Sequence, residues 1–189
     1  MYSKEDLSKA LDVLRRGGVI LYPTDTVWGL GCDATRADAV KRIFDIKRRA
    51  DGKALITLLA SADDLTRWVD GVPEVAYQLI DVAVSPTTII YDRAFVPPIA
   101  ANLPAPDGTL AVRITAEPFS AALCRALRRP LVSTSANISG TPAPQTFRQI
   151  SKEIISAVDY VCTTGRNYPP ASPSAIIRLT ESGEIKIIR

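Results

Sequence analysis

One stretch, residues 17–33, constrains the fold of this chain more than any other part of the sequence. Its residues 19–22 form an apolar run between glycines and a proline, which is typical of a short buried strand that ends in a turn. Polar residues follow at 24–26, and Gly29 and Gly31 then permit a positive φ or a close approach to the backbone. The stretch predicts a buried strand leading into a wall of hydroxyl groups. A threonine-rich turn without a binding role is the alternative.

Strand-like and helix-like patterns alternate along the rest of the chain. Predicted strands lie at 19–22, 54–60, 86–91, 110–114, 130–134 and 159–162, with a final hairpin of 174–179 and 184–189. Predicted helices begin at Ser3 and end before Gly17, surround Val40 to Ile46, and run over 61–68, 73–82, 117–129 and 146–157. This alternation predicts an α/β fold, with a twisted mixed sheet flanked by helices in a single domain over residues 1–189.

The proline-rich stretch 93–108 shows little hydrophobic periodicity. It is predicted to be a long exposed loop rather than a linker between domains. Because long loops in compact domains often carry function, we expect this one to act as a flap.

The residue types that the sequence lacks exclude several chemistries. No histidine is present, which excludes a Ser-His-Asp triad, a histidine-ligated metal and an imidazole acid or base. The cysteines, Cys32, Cys124 and Cys162, form no Cys-x-x-Cys pair, so neither a disulfide framework nor a zinc site is predicted and a cytoplasmic location is expected. The longest apolar run, 54–60, is far shorter than the ~20 residues that cross a bilayer, so no membrane association is expected.

Basic residues concentrate at the end of the second predicted helix. Lys47, Arg48, Arg49 and Lys53 lie there, although the net charge of the whole chain is only +3. Such a cluster suits the binding of an anion. The alternative is a solvated helix end, because the helix macrodipole also favours cations at a C-terminus.

Polar residues also stand at the ends of several predicted strands, at 24–26, Arg113, 133–137 and Ser174. We expect them to converge on one edge of the sheet. Hydroxyls, an amide and cations bind and neutralise anions better than they transfer protons, so phosphate chemistry is indicated, although no Walker loop is present. The alternatives are ordinary caps and turns for the hydroxyls and a surface ion pair for Arg113.

The sequence of residues 23–31, Pro-Thr-Asp-Thr-Val-Trp-Gly-Leu-Gly, resembles the hallmark of the YrdC-like family, the threonylcarbamoyladenylate synthases. Residues 47–49 resemble the Lys-x-Arg motif of that family, and residues 135–137 its Ser-x-Asn motif. The matches follow in the right order over nearly the whole chain. The resemblance implies the YrdC-like fold with a central basic cleft.

The resemblance also implies an activity. Members of the family form threonylcarbamoyl-adenylate and pyrophosphate from L-threonine, bicarbonate or CO2, and ATP with Mg2+, and the product serves threonylcarbamoyladenosine formation in tRNA. Partner proteins of tRNA modification are therefore expected, and direct binding of tRNA or double-stranded RNA is left open. The alternatives are a noncatalytic RNA-binding module, and a carbamoyl-adenylating domain like that of hydrogenase maturation proteins, against which the absence of flanking zinc modules speaks.

The motif matches also assign site residues. The resemblance implies catalytic roles for Lys47 and Arg49, and no metal ligand among the protein side chains. It implies ATP contacts for Lys47, Arg49, Lys53, Thr109, Ser135, Asn137 and Arg189. It implies L-threonine contacts for Thr26, Arg113, Ser133 and Ser174.

The sequence departs from the family pattern at a few positions. Ala50 replaces a proline after Lys-x-Arg, Ala175 replaces a threonine, and residues 84–88 replace Pro-Gly-Pro-x-Thr. Leu58 stands where relatives can carry histidine, which puts one threonine contact in question. Asn137 argues against a paralogous branch of uncertain activity that tends to lose this asparagine.

Overall fold

The computed structural model describes residues 2–49 and 55–189. Its helices are α1 (Lys4–Arg15), α2 (Ala37–Lys47), α3 (Val75–Asp81), α4 (Pro118–Leu127) and α5 (Lys152–Ala157). Its strands are β1 (Ile20–Tyr22), β2 (Gly29–Gly31), β3 (Ile56–Leu59), β4 (Val69–Asp70), β5 (Thr87–Tyr91), β6 (Arg93–Ala94), β7 (Leu110–Ile114), β8 (Leu131–Ser135), β9 (Tyr160–Val161), β10 (Ala175–Leu179) and β11 (Ile185–Ile187).

The first helix begins where the sequence predicts. The Ser3 side chain accepts a hydrogen bond from the Asp6 backbone N–H at 3.3 Å, which caps the N-terminus of α1. The Asp6 carboxylate does not complete the capping box, because it accepts hydrogen bonds from the backbone N–H groups of Thr163 and Thr164 at 2.9 and 2.7 Å. Burial acts to raise the pKa of Asp6, and these hydrogen bonds outweigh it and lower the pKa. Asp6 therefore fastens α1 to the loop that follows β9.

Nine of the described strands form one mixed sheet, in the order β11-β10-β5-β7-β3-β8-β2-β1-β9. The central pair β3 and β7 is parallel, whereas β8 runs antiparallel to both of its neighbours, β3 and β2. The predicted α/β fold with a mixed sheet and flanking helices is confirmed. The predicted C-terminal hairpin is the antiparallel pair of β10 and β11.

Each face of the sheet buries its own apolar cluster. Val40, Ile43 and Phe44 of α2 pack against one face, together with core residues of β1, β2, β5 and β7. Helices α1 and α4 pack against the other face, over residues such as Tyr22 and Leu58. These two helices cover only part of their face, and the uncovered part holds the candidate site.

Two helical predictions need correction. The predicted helix 146–157 is broken into a 3-10 turn, Phe147–Gln149, and α5, because Ile150 has extended backbone and Ser151 caps a new helix. The predicted helix 61–68 is a 3-10 helix, Ala62–Arg67. In both cases local capping by a serine, Ser151 or Ser61, decides where the backbone turns.

The prediction of an exposed loop at 93–108 is confirmed for residues 95–98 and 106–108 and is wrong for the middle of the segment. Ile99, Ala100 and Leu103 are buried in the core. The Ala100 N–H also donates to the carbonyl of Ala34 at 3.0 Å. Burial of these apolar side chains fixes the loop against the body of the protein, which hydrophobic periodicity cannot reveal in a segment without regular structure.

Gly29 and Gly31 of the 17–33 stretch lie in β2, which the sequence did not predict as a strand. A Cβ on Gly31 would stand 2.6 Å from the Tyr22 ring and 3.0 Å from the Val132 carbonyl. Gly31 is therefore required by a close approach, because the buried Tyr22 ring crosses directly over its Cα.

We predict that Gly31→Ala lowers the free energy of unfolding by about 1–3 kcal/mol, the usual cost of forcing extra volume into a packed core. Gly29→Ala is the matched control, because its Cβ would meet the Thr24 side chain at 3.2 Å and both the Ser133 side chain and the Tyr22 ring at 3.3 Å, contacts that a shift of a few tenths of an ångström relieves. Urea denaturation measures both losses. An equal loss for the two variants would contradict the role given to Gly31.

Candidate active site

The predicted polar residues meet on a face of the sheet rather than at its edge. Arg113 of β7 pairs in register with Leu58 of β3, and Ser133 of β8 pairs with Ile56 of β3. Because side chains alternate between faces with a period of two, Arg113, Ser133 and Ser135 all project from the face that α1 and α4 cover only in part. Strands of opposite direction do not end together, which is why the expected convergence at an edge is wrong.

These side chains line a cavity of about 320 Å³, called here the cleft. Its floor comes from β3, β5, β7, β8 and β10, and its rim from the segments around Thr26, Ala143 and Pro173. The predicted site residues in its lining are Thr26, Arg49, Arg113, Ser133, Ser135, Ser174 and Arg189. The cleft therefore joins cations and hydroxyls from distant parts of the chain in one concave surface.

Arg113 is the most buried cation of the cleft, with a side chain only 3% exposed. Its Nη2 atom lies 3.0 Å from Oδ1 of Asp25 and 3.4 Å from Oγ1 of Thr26. The contact between Nη2 and Asp25 is not aligned as a hydrogen bond, so Oδ1 of Asp25 has no hydrogen-bond partner in the described part of the chain. Nε of Arg113 has no hydrogen-bond partner there either. A buried guanidinium with an unused donor is suited to bind an anion.

The hydroxyl of Thr26 is oriented by its neighbours. Oγ1 of Thr24 donates to the carbonyl of Val27 at 2.7 Å, so its single proton is used. The 3.0 Å contact between the Thr24 and Thr26 hydroxyls therefore has Thr26 as the donor. Oγ1 of Thr26 is left to act as an acceptor toward Arg113 and the cleft.

Lys47 lies beneath the cleft rather than in its lining. Its Nζ donates to the carbonyls of Ser135 and Asn137 at 2.5 and 2.8 Å and to Oδ1 of Asn137 at 3.3 Å. Burial, with a smaller effect of the charge of Arg49, lowers the pKa of Lys47 to about 8. An ammonium has three donors, and here all three hold the segment after β8. The contact with phosphate predicted for Lys47 stays a prediction, and it would require one of these donors to leave its present acceptor.

Asn137 is the centre of the same network and is also absent from the cleft lining. Its Oδ1 accepts from Oγ of Ser135 at 2.5 Å, and its Nδ2 donates to the carbonyl of Thr141 at 2.6 Å. The Ser-x-Asn segment therefore folds as a tight turn over the end of α2. Ser135 is the member of this turn that reaches the cleft.

The backbone at the end of α2 separates the two arginines of Lys-x-Arg. Arg48 adopts a left-handed conformation, with φ of 48°, and its side chain forms an exposed ion pair of 2.5 Å with Glu153. This reversal directs Arg49 into the cleft, and burial there lowers the pKa of Arg49. The sequence-based expectation that position 48 differs from positions 47 and 49 therefore has a backbone cause.

The far wall of the cleft is formed by the end of the chain. Oγ of Ser174 lies 2.9 Å from Oγ1 of Thr88, and both side chains are buried. The carbonyl of Ser174 accepts hydrogen bonds from Nε and Nη2 of Arg189 at 3.3 and 3.1 Å. Arg189 is thus held at the cleft by the same residue that supplies a hydroxyl to it.

Other predicted residues are placed differently. Thr109 is buried outside the cleft lining, and its hydroxyl donates to Oδ1 of Asp107 at 2.7 Å. Lys53 and Ala50 lie outside the described residues. Leu58 is fully buried in the core under α1 and α4, so this position supplies no polar group to the cleft.

Two residues of the site were not predicted. Asp25 was part of the opening motif, but its pairing with Arg113 joins residues 88 positions apart, and no sequence pattern shows such a contact. Thr88 lines the cleft beside Ser174. The sequence pattern that could have identified Thr88 is the alternation of side chains along β5, which places Thr88 and Ile90 on the same face of the sheet.

Comparison with known proteins gives the family. The model of the Sua5/YciO/YrdC family, described as "Telomere recombination", matches residues 12–189. The chain therefore belongs to this family. The threonylcarbamoyl-AMP synthase of Xanthomonas campestris pv. campestris strain B100 is 42% identical over 164 residues, which cover 82% of this chain and 84% of that protein.

Solved structures agree with this result. E. coli YciO matches with a TM-score of 0.85 and 26% identity, over 99% of this chain and 89% of that one. P. abyssi Sua5 complexed with L-threonine matches with a TM-score of 0.81 and 27% identity, over 92% of this chain. The chain spans about half the length of that protein, 50%. In the described residues, no helix is long and apolar enough to cross a membrane.

We predict that Asp25→Asn lowers the free energy of unfolding by about 3–5 kcal/mol, because it leaves the buried Arg113 charge uncompensated. Asp64→Asn is the control, since Asp64 pairs with Arg67 at an exposed position and such pairs contribute about 0–1 kcal/mol. Thermal and urea unfolding measure both variants. A loss below 1 kcal/mol for Asp25→Asn would show that Arg113 needs no partner there.

Proposed function

We propose that this chain is a threonylcarbamoyl-AMP synthase, a nucleotidyltransferase that joins L-threonine, bicarbonate or CO2, and ATP and releases pyrophosphate. The observation that carries the proposal is the cleft itself. Its lining joins a buried arginine, Arg113, and several hydroxyls with two further arginines, Arg49 and Arg189. Such a lining fits one small carboxylate and one polyphosphate in the same cavity.

The amino acid subsite is proposed around Arg113. The carboxylate of the amino acid would pair with the guanidinium of Arg113, which lines the cleft. The substrate hydroxyl would donate to Oγ1 of Thr26, whose own proton is already used. Ser133 and Ser174 complete this subsite with buried hydroxyls.

The nucleotide subsite is proposed between the end of α2 and the turn after β8. Arg49 would neutralise the phosphates, with Ser135 and Arg189 beside it in the cleft. Lys47 and Asn137 would act as positioning residues, because their polar groups hold the turn that carries Ser135. Thr109 and Lys53 stay proposed ATP contacts on the resemblance alone, and the Thr109 hydroxyl would have to leave Asp107 to make one.

The reaction has two bond-forming steps. The threonine amine attacks the carbon of CO2 and loses a proton, which gives a carbamate. A carbamate oxygen then attacks the α-phosphorus of ATP, and the bond to the leaving pyrophosphate breaks. The cleft accelerates these steps by holding the reactants together and by placing fixed cations where negative charge grows.

Magnesium is proposed to enter with ATP as part of the substrate. The described residues contain no group of three or more His, Cys, Asp or Glu side chains that could hold a metal. The carboxylate of the cleft region, Asp25, already pairs with Arg113. The donor set therefore does not fit a resident metal, and no step is derived through one.

The product would serve threonylcarbamoyladenosine formation in tRNA, so we also propose partner proteins of tRNA modification and a cytoplasmic location. A noncatalytic module that binds tRNA or double-stranded RNA is the second candidate. It needs the basic charge of the cleft but not the buried hydroxyls around Arg113. The hydroxyl set therefore favours the enzyme.

The proposed activity is tested by pyrophosphate release. Release from ATP is expected only when threonine and bicarbonate are present together, because the nucleophile forms from both. A coupled phosphate assay with each substrate omitted in turn measures this requirement. Equal release from ATP alone would identify a different enzyme, and absence of release together with tight RNA binding would identify the RNA-binding module.

Arg49→Ala is expected to reduce turnover by about 100-fold or more, the usual cost of removing one preorganised donor to a developing anion. Arg48→Ala is the matched control and is expected to change turnover little, because Arg48 forms an exposed ion pair with Glu153. Steady-state kinetics compares the two. Equal losses would show that only the summed basic charge matters.

The amino acid preference tests the orientation of Thr26. We expect the order threonine, serine, and then valine and 2-aminobutyrate. Loss of a methyl group costs about 1–3 kcal/mol in a pocket, whereas loss of a hydroxyl from a site built to bond it costs about 10⁴-fold in specificity. Values of kcat/KM that rank valine above serine would contradict the placement of Thr26 and Ser133.

A further inference from the structure

A second cavity, of about 300 Å³, lies between the 3-10 helix Ala62–Arg67 and the C-terminal end of α4. Four arginines line it, and we call it the arginine pocket: Arg67, Arg125, Arg128 and Arg129. Its lining shares no described residue with the cleft. Strand β3 connects the two, because Ile56 lines the cleft and Leu59, near the other end of the strand, lines the arginine pocket.

The arginine pocket carries an excess of positive charge. Arg67 pairs with Asp64 at 2.8 Å, and Arg129 pairs with the buried Asp33 at 2.7 Å. Within residues 2–49 and 55–189, Arg125 and Arg128 form no ion pair with a carboxylate. Two guanidinium groups therefore remain uncompensated at one concave site.

Folding alone does not require this arrangement. The macrodipole of α4 favours a cation in its last turn, which accounts for Arg125. Arg128 instead occupies a left-handed C-cap with φ of 57°, where glycine or asparagine would cost less. Arg67 comes from a different element and adds like charge to the same cavity. These four exposed arginines add like-charge repulsion at one site, which solvent screens in part and which an anionic ligand would relieve.

The shape of the pocket selects the kind of anion. Leu59, Trp68 and Cys124 form buried apolar walls, and the Arg67 guanidinium lies over the Trp68 ring at 5.3 Å from its centroid. These walls exclude water from the inner side of the pocket, whereas the four arginines are all exposed residues. Trp68 is itself buried and presents no ring for a base to stack on. A compact anion fits this concave site better than an extended nucleic acid does.

We propose that the arginine pocket binds a diphosphate group, either as free pyrophosphate or as part of a nucleoside diphosphate, at a site separate from the cleft. Guanidinium groups match phosphate oxygens in paired hydrogen bonds. Arg125 and Arg128 would supply the principal contacts, because neither pairs with a carboxylate of the described residues. Arg67 and Arg129 would add charge while retaining their aspartates.

Tryptophan fluorescence gives a local readout. The chain has only two tryptophans, so Trp28→Phe leaves Trp68, in the wall of the arginine pocket, as the sole reporter. Titration of this protein with pyrophosphate is expected to change the Trp68 emission to saturation. Trp68→Phe leaves Trp28, which lies beside Thr24 and Thr26, and reports ligand near the cleft separately. Neither readout depends on turnover.

Charge variants in the Trp28→Phe protein test the contacts. Arg125→Ala with Arg128→Ala is expected to weaken pyrophosphate binding by about 100-fold or more, since each removes a charge-assisted hydrogen bond. Arg16→Ala with Arg148→Ala removes the same charge at exposed positions elsewhere and is expected to leave binding nearly unchanged. Asp64→Asn is expected to tighten binding several-fold, because it removes the opposing carboxylate, and misfolding would not produce such a gain.

Two ligands distinguish the source of the diphosphate. Equal half-saturation concentrations for pyrophosphate and ADP would show that the pocket binds the diphosphate alone. A half-saturation concentration for ADP more than about tenfold lower, a difference of about 1.4 kcal/mol, would identify a nucleotide as the ligand. The proposal is overturned if neither ligand changes the Trp68 emission, or if the Arg125 and Arg128 variant retains wild-type affinity. It is also overturned if duplex RNA saturates the signal at a lower phosphate concentration than pyrophosphate, which would indicate an extended polyanion surface.

Discussion

The burial of the Arg113 guanidinium in the face of the sheet is the constraint on which the site depends. A cation that is only 3% exposed is costly unless charge and hydrogen bonds compensate it. Asp25 supplies the charge and Thr26 an oxygen, and both follow β1 in the turn that begins at Pro23. The glycines of β2 let the Tyr22 ring pack closely beneath this turn. The compensation is incomplete, because Nε of Arg113 has no hydrogen-bond partner among the described residues. In the proposed function, a substrate carboxylate in the cleft adds a second negative charge beside this guanidinium.

A second buried cation, Lys47, organises the other half of the cleft. Its Nζ donates hydrogen bonds to Ser135 and Asn137. Burial, together with a smaller effect of the charge of Arg49, lowers the pKa of Lys47 to about 8. A lysine in this state holds a turn in place and leaves Arg49 as the cation at the end of α2 that lines the cleft. The Lys-x-Arg and Ser-x-Asn motifs are therefore one structural unit, although 88 positions separate Lys47 from Ser135.

The sequence allowed the elements and the composition of the cleft to be predicted but not the contacts that fix its geometry. Alternation of apolar runs identified the α/β class, and the capping serine located the start of α1. The sequence analysis placed the site at an edge of the sheet instead of on a face. Strand direction is set by tertiary pairing, and the apolar runs of the sequence do not show which strands are parallel. Three further features were not predicted: the hydrogen bonds of Lys47, the ion pair of Asp25 with Arg113, and the helix break before Ser151. Each depends on a distant partner or a cap that competes with the local hydrophobic pattern.

The central claim is that Arg113 binds the carboxylate of the substrate. Calorimetric titration that compares L-threonine with L-threoninamide tests it most directly. The amide keeps the side chain and removes the negative charge. The account predicts that the native protein prefers threonine by about 100-fold or more, as expected for a buried charge-assisted pair, and that this preference collapses in Arg113→Met. Equal affinity for the two ligands in the native protein, or an unchanged preference in Arg113→Met, would contradict it.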